Sequence, residues 1–244
     1  VVETDVSKYP DAHQGHGALS GNQIDISADT LLLESLSFDG TNFWAMDKTA
    51  KRIRKYNLAG AVLTDGYIGD YTSSYTGVAV HGSELITTSG SNSLYVFDAN
   101  TVAYNRTAFS LSGTKLDICF DGSHYYIPNS SNKIQKFATT GSSILLERSY
   151  NSSPSCVDWD GTHFWAGFPY ANEVRQLDAN LLETGVKIYL GTTNISIKAL
   201  MVANGKVWVG GHDRILREIQ LGVVGEGYAY TDPVTGAPYY VKVK

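Results

Sequence analysis

A segment of about ten residues recurs five times along the chain, and this repeat restricts the possible folds more than any other feature. Each copy has two short apolar runs joined by an Asp-Gly, Asn-Gly or His-Gly pair. The copies are 36–45 (LSFDGTNFWA), 78–87 (VAVHGSELIT), 118–127 (ICFDGSHYYI), 157–166 (VDWDGTHFWA) and 201–209 (MVANGKVWV). Their glycines, at positions 40, 82, 122, 161 and 205, are 42, 40, 39 and 44 residues apart. Such a pair between apolar runs favours a tight turn in which both residues take positive φ, so each copy predicts a β-hairpin.

A third strand is predicted at a constant distance behind each hairpin, and a fourth, more variable strand leads into the next copy. The third strands are 52–56, 93–98, 133–137, 173–178 and 215–221. Four antiparallel strands in about forty residues is the pattern of a propeller blade. The sequence therefore predicts an all-β fold, a five-bladed β-propeller with four antiparallel strands per blade.

The fifth copy lacks an outer strand of its own, because the repeat ends near Gly222. Segment 23–27 (QIDIS) precedes the first blade as an outer strand would. We predict that this N-terminal strand completes the last blade and closes the ring, which removes open sheet edges. The predicted organisation is an N-terminal extension at 1–22, the propeller at 23–222, and a hairpin-like extension at 223–244 with its turn at 232–236 (DPVTG).

Composition narrows the function classes. The 244 residues are 43% hydrophobic and 18% charged, with a net charge of −5. These values argue against a disordered chain, a membrane-inserted segment and a nucleic-acid partner. The sequence has no Gly-x-Ser-x-Gly, His-Glu-x-x-His, P-loop or Cys-x-x-Cys pattern, so a hydrolase with a serine nucleophile or a catalytic zinc has no support. Cys119 and Cys156 have the same strand parity, so each faces the same way on its own blade, and equivalent faces of neighbouring blades do not meet. This predicts two buried free thiols.

Two sets of aspartates could carry chemistry. Asp39, Asp121 and Asp160 each precede a turn glycine, and we interpret them as turn caps that accept hydrogen bonds from nearby backbone N–H groups. Asp117 and Asp158 instead lie on the first strands, which line the central channel. Carboxylates on adjacent inner strands could bind Ca²⁺, or one of them could have a pKa raised enough for acid–base work.

Basic and tyrosine residues provide candidate ligand contacts. The one concentration of positive charge comprises Lys48, Lys51, Arg52, Arg54 and Lys55. It is either a solvated surface or a patch for an anionic partner, such as lipopolysaccharide phosphate. Segment 67–75 (YIGDYTSSY) mixes tyrosine with serine and threonine, as recognition surfaces do. The candidate ligand-binding residues are Lys51, Arg52, Arg54, Tyr67, Tyr71 and Tyr75.

The aromatic-Asp-Gly turns at 38–40, 120–122 and 159–161 resemble those of NHL-type and lactonase-like propellers. That resemblance implies the propeller fold and brings no catalytic residue with it. A self-contained ring of low charge with a non-repeat tail is also similar to the receptor-binding spike head of tailless lipid-containing marine phages. This second resemblance implies a position on the virion surface, host attachment and bound Ca²⁺.

The leading hypothesis is a non-enzymatic recognition module that binds a cell-surface receptor or glycan. We expect it at the extracellular or virion surface as part of a larger oligomeric spike, without a nucleic-acid partner and without membrane insertion. The alternative is a secreted propeller enzyme, a glycosidase or lactonase-like protein, with acidic residues at the central channel. A plain scaffold in a multiprotein assembly is the third possibility.

Overall fold

A computed structural model of the chain describes residues 17–69, 74–90, 92–190, 196–221, 228–231 and 238–241. Within these ranges the strands form five four-stranded antiparallel sheets and one two-stranded sheet. None of the described residues forms a helix long and apolar enough to cross a membrane. The predicted five-bladed β-propeller is therefore confirmed.

The blades follow one another along the chain, and the strands are numbered in chain order. Blade 1 contains β2 (Leu33–Phe38), β3 (Phe43–Asp47), β4 (Arg52–Tyr56) and β5 (Val62–Tyr67). Blade 2 contains β6 (Tyr75–His81), β7 (Glu84–Ser89), β8 (Ser93–Asp98) and β9 (Tyr104–Ser110). Blade 3 contains β10 (Cys119–Phe120), β11 (His124–Asn129), β12 (Lys133–Ala138) and β13 (Ile144–Ser149). Blade 4 contains β14 (Cys156–Trp159), β15 (Phe164–Phe168), β16 (Glu173–Leu177) and β17 (Glu183–Tyr189). Blade 5 contains β18 (Ala199–Ala203), β19 (Lys206–Gly210), β20 (Ile215–Leu221) and the N-terminal β1 (Gly17–Asp25).

Strand β1 closes the ring as predicted, because it pairs antiparallel with β20 at the outer edge of blade 5. It begins at Gly17, six residues before the predicted start of the propeller at 23. The pairing has an irregularity between Leu19 and Gln23. The C-terminal segment forms the predicted hairpin from β21 (Tyr228–Thr231) and β22 (Pro238–Val241). Its predicted turn at 232–236 lies outside the described residues.

The turn aspartates act as caps rather than as positive-φ residues. The Oδ1 atom of Asp39 accepts hydrogen bonds from the backbone N–H groups of Thr41 and Asn42, at 3.0 and 2.7 Å. Asp121 and Asp160 make the same pair of bonds in their own turns. In these blades four residues separate the last paired residues of the two strands, whereas blade 5 has only Asn204 and Gly205, both with positive φ. The two-residue positive-φ turn of the sequence prediction is thus correct for blade 5 and wrong for blades 1, 3 and 4.

Apolar side chains between neighbouring blades form the core. In β3, Phe43 packs with residues of blade 5, while the next residue, Trp44, packs with residues of blade 2. Successive side chains of a strand point to opposite sheet faces, so one aromatic pair serves two interfaces. Three further clusters join the remaining neighbours in the same way. The ring is therefore held by repeated packing between neighbouring blades.

We expect Gly77→Ala to destabilise the ring. A Cβ atom on Gly77 would lie 2.6 Å from Thr88 Oγ1 and 2.7 Å from the carbonyl carbon of Asp117, which is backbone of the next blade. Overpacking of this kind costs about 1–3 kcal/mol. Gly141→Ala is the matched control, since a Cβ there meets nothing within 4 Å. Thermal unfolding should show a clearly lower Tm for the first variant only; equal Tm values would contradict the close approach.

Candidate functional site

Hydrogen bonds between the inner strands close the centre of the ring. Ser35 Oγ donates to Asp117 Oδ1 over 2.5 Å and accepts from the Val78 N–H at 3.0 Å. Asp117 Oδ2 accepts from the Val157 N–H at 3.0 Å. These residues come from blades 1, 3, 2 and 4, and both Ser35 and Asp117 are completely buried. Asp117 therefore ties blades together at the axis and is out of reach of an external ligand.

Asp158 lies on the first strand of blade 4 and is partly exposed. It is two residues from its turn aspartate, whereas Asp117 is four residues from the turn aspartate of blade 3. Its Oδ2 atom accepts a hydrogen bond from the Val202 N–H at 2.7 Å. Burial raises the pKa of Asp158 to about 7, although backbone hydrogen bonds from Val202 and Trp159 favour the ionised form. Burial also raises the pKa of Asp117 well above its usual value. A carboxyl group with a pKa near 7 gains and loses its proton near neutral pH, and Asp158 is the less buried of the two axial aspartates.

Asp117 and Asp158 were predicted as calcium ligands, and the surrounding donors do not fit that ion well. Calcium takes six to eight oxygen ligands. In the described ranges no group of three or more His, Cys, Asp or Glu side chains is arranged to hold a metal ion. Both carboxylate oxygens of Asp117 already accept protein hydrogen bonds. Calcium binding at the axis stays a prediction.

Both cysteines are free and buried, as the repeat positions predicted. Burial raises the pKa of the Cys119 thiol well above its usual value, and it also raises the pKa of the Cys156 thiol. A protonated, buried thiol is a weak nucleophile and a poor metal ligand. The two cysteines therefore serve the packing near the axis.

The basic concentration of blade 1 is largely neutralised by acidic neighbours. The ion pairs are Lys48–Glu34 at 2.7 Å, Arg52–Asp65 at 2.9 Å, Lys55–Asp39 at 2.8 Å, Arg54–Asp47 at 3.0 Å and Arg54–Asp65 at 3.2 Å. Arg54 is 8% exposed, so it is a structural ion-pair residue and the prediction that it contacts a ligand is not supported. Lys51 has no ion pair with a described carboxylate. Lys51 and Arg52 lie at one corner of the blade with Tyr67, because Arg52 pairs with Tyr67 and the Ile68 N–H bonds the Lys51 carbonyl.

The three tyrosines predicted as ligand contacts differ in where they lie and in how exposed they are. Tyr67 is 53% exposed at the end of β5. Tyr71 lies outside the described residues. Tyr75 is 1% exposed, and its hydroxyl donates to the Ile68 carbonyl at 2.6 Å. The expectation that Tyr75 is an exposed loop residue is wrong, because it begins β6 and its ring packs between blades 1 and 2.

Tyr67 lies on the loop face of the ring, which is the face where the second strand of each blade connects to the third and the fourth strand connects to the next blade. Two other exposed tyrosines lie on this loop face and were not among the predicted site residues. Tyr170 is 88% exposed in such a turn of blade 4, and Tyr189 is 54% exposed at the end of β17. The Pro-Tyr-Ala-Asn sequence at 169–172, between two predicted strands, is the signal that could have identified Tyr170.

A shallow depression of about 300 Å³ lies on the opposite face, the hairpin face, where first and second strands are joined. Its lining residues are Asp160, Thr162, His163, Trp165, Val202, Gly205 and Val207. The first four belong to blade 4 and the last three to blade 5. The Asp160 carboxylate is fixed here, since its Oδ2 accepts from Trp165 Nε1 at 2.7 Å. Its lining combines the polar side chains of Asp160, Thr162 and His163 with the largely apolar ones of Trp165, Val202 and Val207.

No family model matches the chain, and no curated protein matches it. Among solved structures, the chain is similar to glutaminyl cyclase of Myxococcus xanthus, with 13% sequence identity and a TM-score of 0.74. The alignment covers 86% of this chain and 99% of the cyclase.

Two further solved structures are similar over a smaller share. The WD40 β-propeller domain of Doa1 has 16% identity and a TM-score of 0.54, over 77% of this chain and 63% of that one. Virginiamycin B lyase of Staphylococcus aureus has 14% identity and a TM-score of 0.50, over 74% and 63%. At these identities the likeness shows the propeller fold alone.

We expect Asp158→Asn to remove a pH dependence of stability. The folded-state pKa of Asp158, about 7, is above that of an unfolded aspartate, so the native state binds the extra proton between these values. The contribution of Asp158 to the free energy of unfolding of the parent protein should fall as the pH rises through this window, by up to about 1.4 kcal/mol per pH unit. The variant lacks this decrease and gains relative stability as the pH rises. Urea unfolding from acid to neutral pH measures the difference, and a constant difference would refute the assignment.

Proposed function

We propose that the chain is a non-enzymatic recognition module that binds a cell-surface receptor or glycan through the loop face. The observation that carries this proposal is the exposure of three tyrosines there: 88% for Tyr170, 54% for Tyr189 and 53% for Tyr67. Tyrosine offers a large contact area and a hydroxyl group at a low entropic cost, which is why binding surfaces use it. Tyr170 and Tyr189 share one corner of blade 4, because Tyr189 pairs with Glu173 directly after the turn that carries Tyr170, whereas Tyr67 is on blade 1. Neighbouring exposed aromatics on a folded domain mark interaction sites.

The corner that carries Tyr170 is well fixed before any ligand binds. The Ala171 N–H donates to the Phe168 carbonyl at 3.1 Å, and the Asn172 N–H donates to the Pro169 carbonyl at 3.2 Å. Asn172 takes a left-handed φ of 54°, which asparagine tolerates better than most residues. The Leu190 N–H bonds the Asn172 carbonyl, so the end of the Tyr189 strand is attached to the same turn. A preorganised aromatic surface loses little entropy on binding.

The base of this corner is also rigid. The Arg175 guanidinium lies 4.1 Å from the centroid of the Phe168 ring and is 4% exposed. It forms ion pairs with Glu173 and Glu183, each at 2.8 Å. Arg175 also donates to Asn151 Oδ1 of the preceding loop, at 3.1 Å. These contacts hold the turn and the adjoining loop in one arrangement, which favours recognition by a preformed surface.

In its finer form the proposal places the chain in an oligomeric virus or phage spike, with a host cell as its partner. This step is supported only by the resemblance of the sequence to phage spike heads. The three solved structures named above are not spike proteins and do not support it. A net charge of −5 is unfavourable for a nucleic-acid partner. The expected location is the extracellular or virion surface.

We expect Tyr170→Ala combined with Tyr189→Ala to weaken binding of fluorescently labelled protein to whole bacterial cells and to a glycan array. Central tyrosines of interfaces often contribute more than 1 kcal/mol each, so the double variant should bind at least about tenfold more weakly. Its Tm should not change, because both side chains are exposed. Tyr104→Ala is the control, since Tyr104 is 38% exposed at the other end of an outer strand. Equal binding by all three proteins, or adherence to no cell or glycan, would contradict the proposal.

An acid–base enzyme is the second candidate, because burial gives Asp158 a pKa of about 7 beside the depression on the hairpin face. The contact that places it there is the hydrogen bond from the Val202 N–H, at 2.7 Å, since Val202 lines the depression. The similarity to a glutaminyl cyclase makes peptides with an N-terminal glutamine a reasonable first substrate, beside aryl glycosides and lactones.

If this second function is correct, Asp158→Asn should reduce turnover at least about a hundredfold, which is the usual contribution of a general acid or base. The variant is expected to remain folded, because the amide oxygen can still accept the Val202 hydrogen bond. Product formation measured by mass spectrometry tests this. Turnover that persists in the variant would exclude Asp158, and absence of turnover with all three substrate classes would favour the binding module.

A further inference from the structure

The buried guanidinium of Arg175 orients two side chains at the corner of blade 4 that carries Tyr170 and Tyr189. Its Nε atom donates to Glu173 Oε2 at 2.8 Å, and its Nη2 atom lies 2.8 Å from the same oxygen. Its Nη1 atom donates to Asn151 Oδ1 at 3.1 Å. Arginine has no acceptor atom, so the amide of Asn151 must turn its oxygen towards the guanidinium and its NH2 group away from it. Glu173 and Asn151 are therefore fixed in orientation by one side chain beneath them.

Each of these two side chains keeps one polar atom for another partner. Among the described residues, none donates a hydrogen bond to Glu173 Oε1 and none accepts one from Asn151 Nδ2. Neither atom is among the buried polar atoms that lack a partner, so both are open to solvent. The corner thus presents one oriented acceptor and one oriented donor, both bonded through their other atom to the same guanidinium.

An aromatic surface lies directly beside the free acceptor. Tyr189 is opposite Glu173 in the register of β16 and β17, so both side chains are on the same face of the sheet with their Cβ atoms about 5 Å apart. The turn that carries Tyr170 lies between Phe168 and Glu173. Both tyrosines are exposed, as described above. The corner therefore combines aromatic faces with a fixed acceptor and a fixed donor.

The charges that meet at this corner balance one another. Arg175 is paired with Glu173 and with Glu183, each at 2.8 Å, and Lys187 Nζ lies 3.2 Å from Glu183 Oε2. Two carboxylates are thus matched by one guanidinium and one ammonium group. A ligand that carries a net charge of either sign gains no strong attraction from such a set, because opposite contributions cancel. The balance favours an uncharged ligand that binds through hydrogen bonds and aromatic contact.

The equivalent position of blade 1 lacks this open acceptor. Arg54 has the same register position on the third strand as Arg175, and it donates to Asp47 Oδ2 at 3.0 Å. The chain itself uses the Asp47 carboxylate, because Oδ2 also accepts from the Leu31 N–H at 2.8 Å and Oδ1 accepts from the Ala50 N–H at 3.0 Å. In blade 1 the arginine and its carboxylate therefore stabilise the fold alone, whereas in blade 4 the same arrangement leaves one carboxylate oxygen at the surface.

We propose that this corner binds an uncharged pyranose sugar, with its hydroxyl groups bonded by Glu173 Oε1 and Asn151 Nδ2. A sugar hydroxyl both donates and accepts, so one ring can satisfy the acceptor and the donor with different hydroxyl groups. The apolar C–H face of the ring packs on the exposed tyrosines, which combine an apolar body with a polar tip. Arg175 is a positioning residue that acts through Glu173 and Asn151. This inference rests on the proposed recognition function and names the ligand class of its surface.

The first test is saturation-transfer NMR on the full chain with methyl β-galactopyranoside, methyl β-glucopyranoside and methyl α-mannopyranoside as neutral probes. N-acetylneuraminic acid is the anionic probe. We expect transfer to the ring protons of at least one neutral glycoside, with at least about tenfold tighter binding than for the acid. Absence of transfer to all neutral glycosides, or equal or tighter binding of the acid, would overturn the proposal.

The second test exchanges only the free polar atoms. Glu173→Gln keeps an oxygen for Arg175 and replaces the free acceptor by an NH2 group, while Asn151→Asp keeps its oxygen and replaces the free donor by an acceptor. Each variant should bind the preferred glycoside at least about tenfold more weakly, because one of its hydroxyl groups then faces a group of the wrong hydrogen-bonding type. Tm values close to that of the parent protein would show that the bonds to Arg175 are retained.

Glu84→Gln is the matched control, because Glu84 is also an arginine-paired carboxylate but belongs to blade 2, where Arg106 bonds both of its oxygens. Its glycoside binding should equal that of the parent protein. Undiminished glycoside binding by Glu173→Gln and Asn151→Asp would overturn the inference. If the Tyr170→Ala and Tyr189→Ala double variant still lost adherence to cells in that case, the proposed recognition function would stand without this ligand class.

Discussion

The ring depends on hydrogen bonds from inner-strand side chains to the backbone of the next blade. The first strand of each blade is a sheet edge at the axis, where its N–H groups would otherwise be buried without partners. Serine and aspartate side chains supply the missing acceptors. The donor and acceptor pairs are Val78 with Ser35, Val80 with Ser37, Val157 with Asp117, and Val202 with Asp158. The polar residues at the axis are thus explained first by the backbone that surrounds them.

Because the axial side chains are used in hydrogen bonds between blades, ligand contacts are expected at the two rims of the ring. Asp117 is completely buried and spans from blade 3 to blades 1 and 4, so it has no open surface to offer. Asp158 is closer to the hairpin turn than Asp117 and is less buried as a residue, but its carboxylate also accepts a hydrogen bond from the next blade, from the Val202 N–H. The loop face instead presents Tyr170 on a fixed turn. The exposed surface that the described residues offer to a ligand therefore lies at the rims rather than at Asp117.

The repeat was sufficient to predict the fold, because blade number and ring closure follow from the spacing of the hairpins and from the missing fifth outer strand. The candidate site was less predictable, because exposure depends on how blades pack. Tyr75 and Tyr170 both follow loop-like sequence, yet the ring of Tyr75 is buried between two blades and that of Tyr170 is in solvent. The basic concentration of blade 1 has its acidic partners on other strands, as Arg52 has Asp65, so the local sequence could not show its neutralisation.

The repeat also allows each residue to be compared with the residues at the equivalent positions of the other blades. Blades with the same backbone should need the same stabilising contacts, so a residue that departs from its equivalents has a distinct local environment. Lys55 forms an ion pair with Asp39 beside the Trp44 ring, whereas the exposed Asp160 accepts a hydrogen bond from the Trp165 indole N–H instead. The same turn aspartate is thus bonded by a lysine in blade 1 and by the neighbouring aromatic side chain in blades 3 and 4, where Tyr126 and Trp165 are the donors. A repeated backbone turn therefore does not require one fixed side-chain partner, because any well-placed donor can satisfy the second carboxylate oxygen.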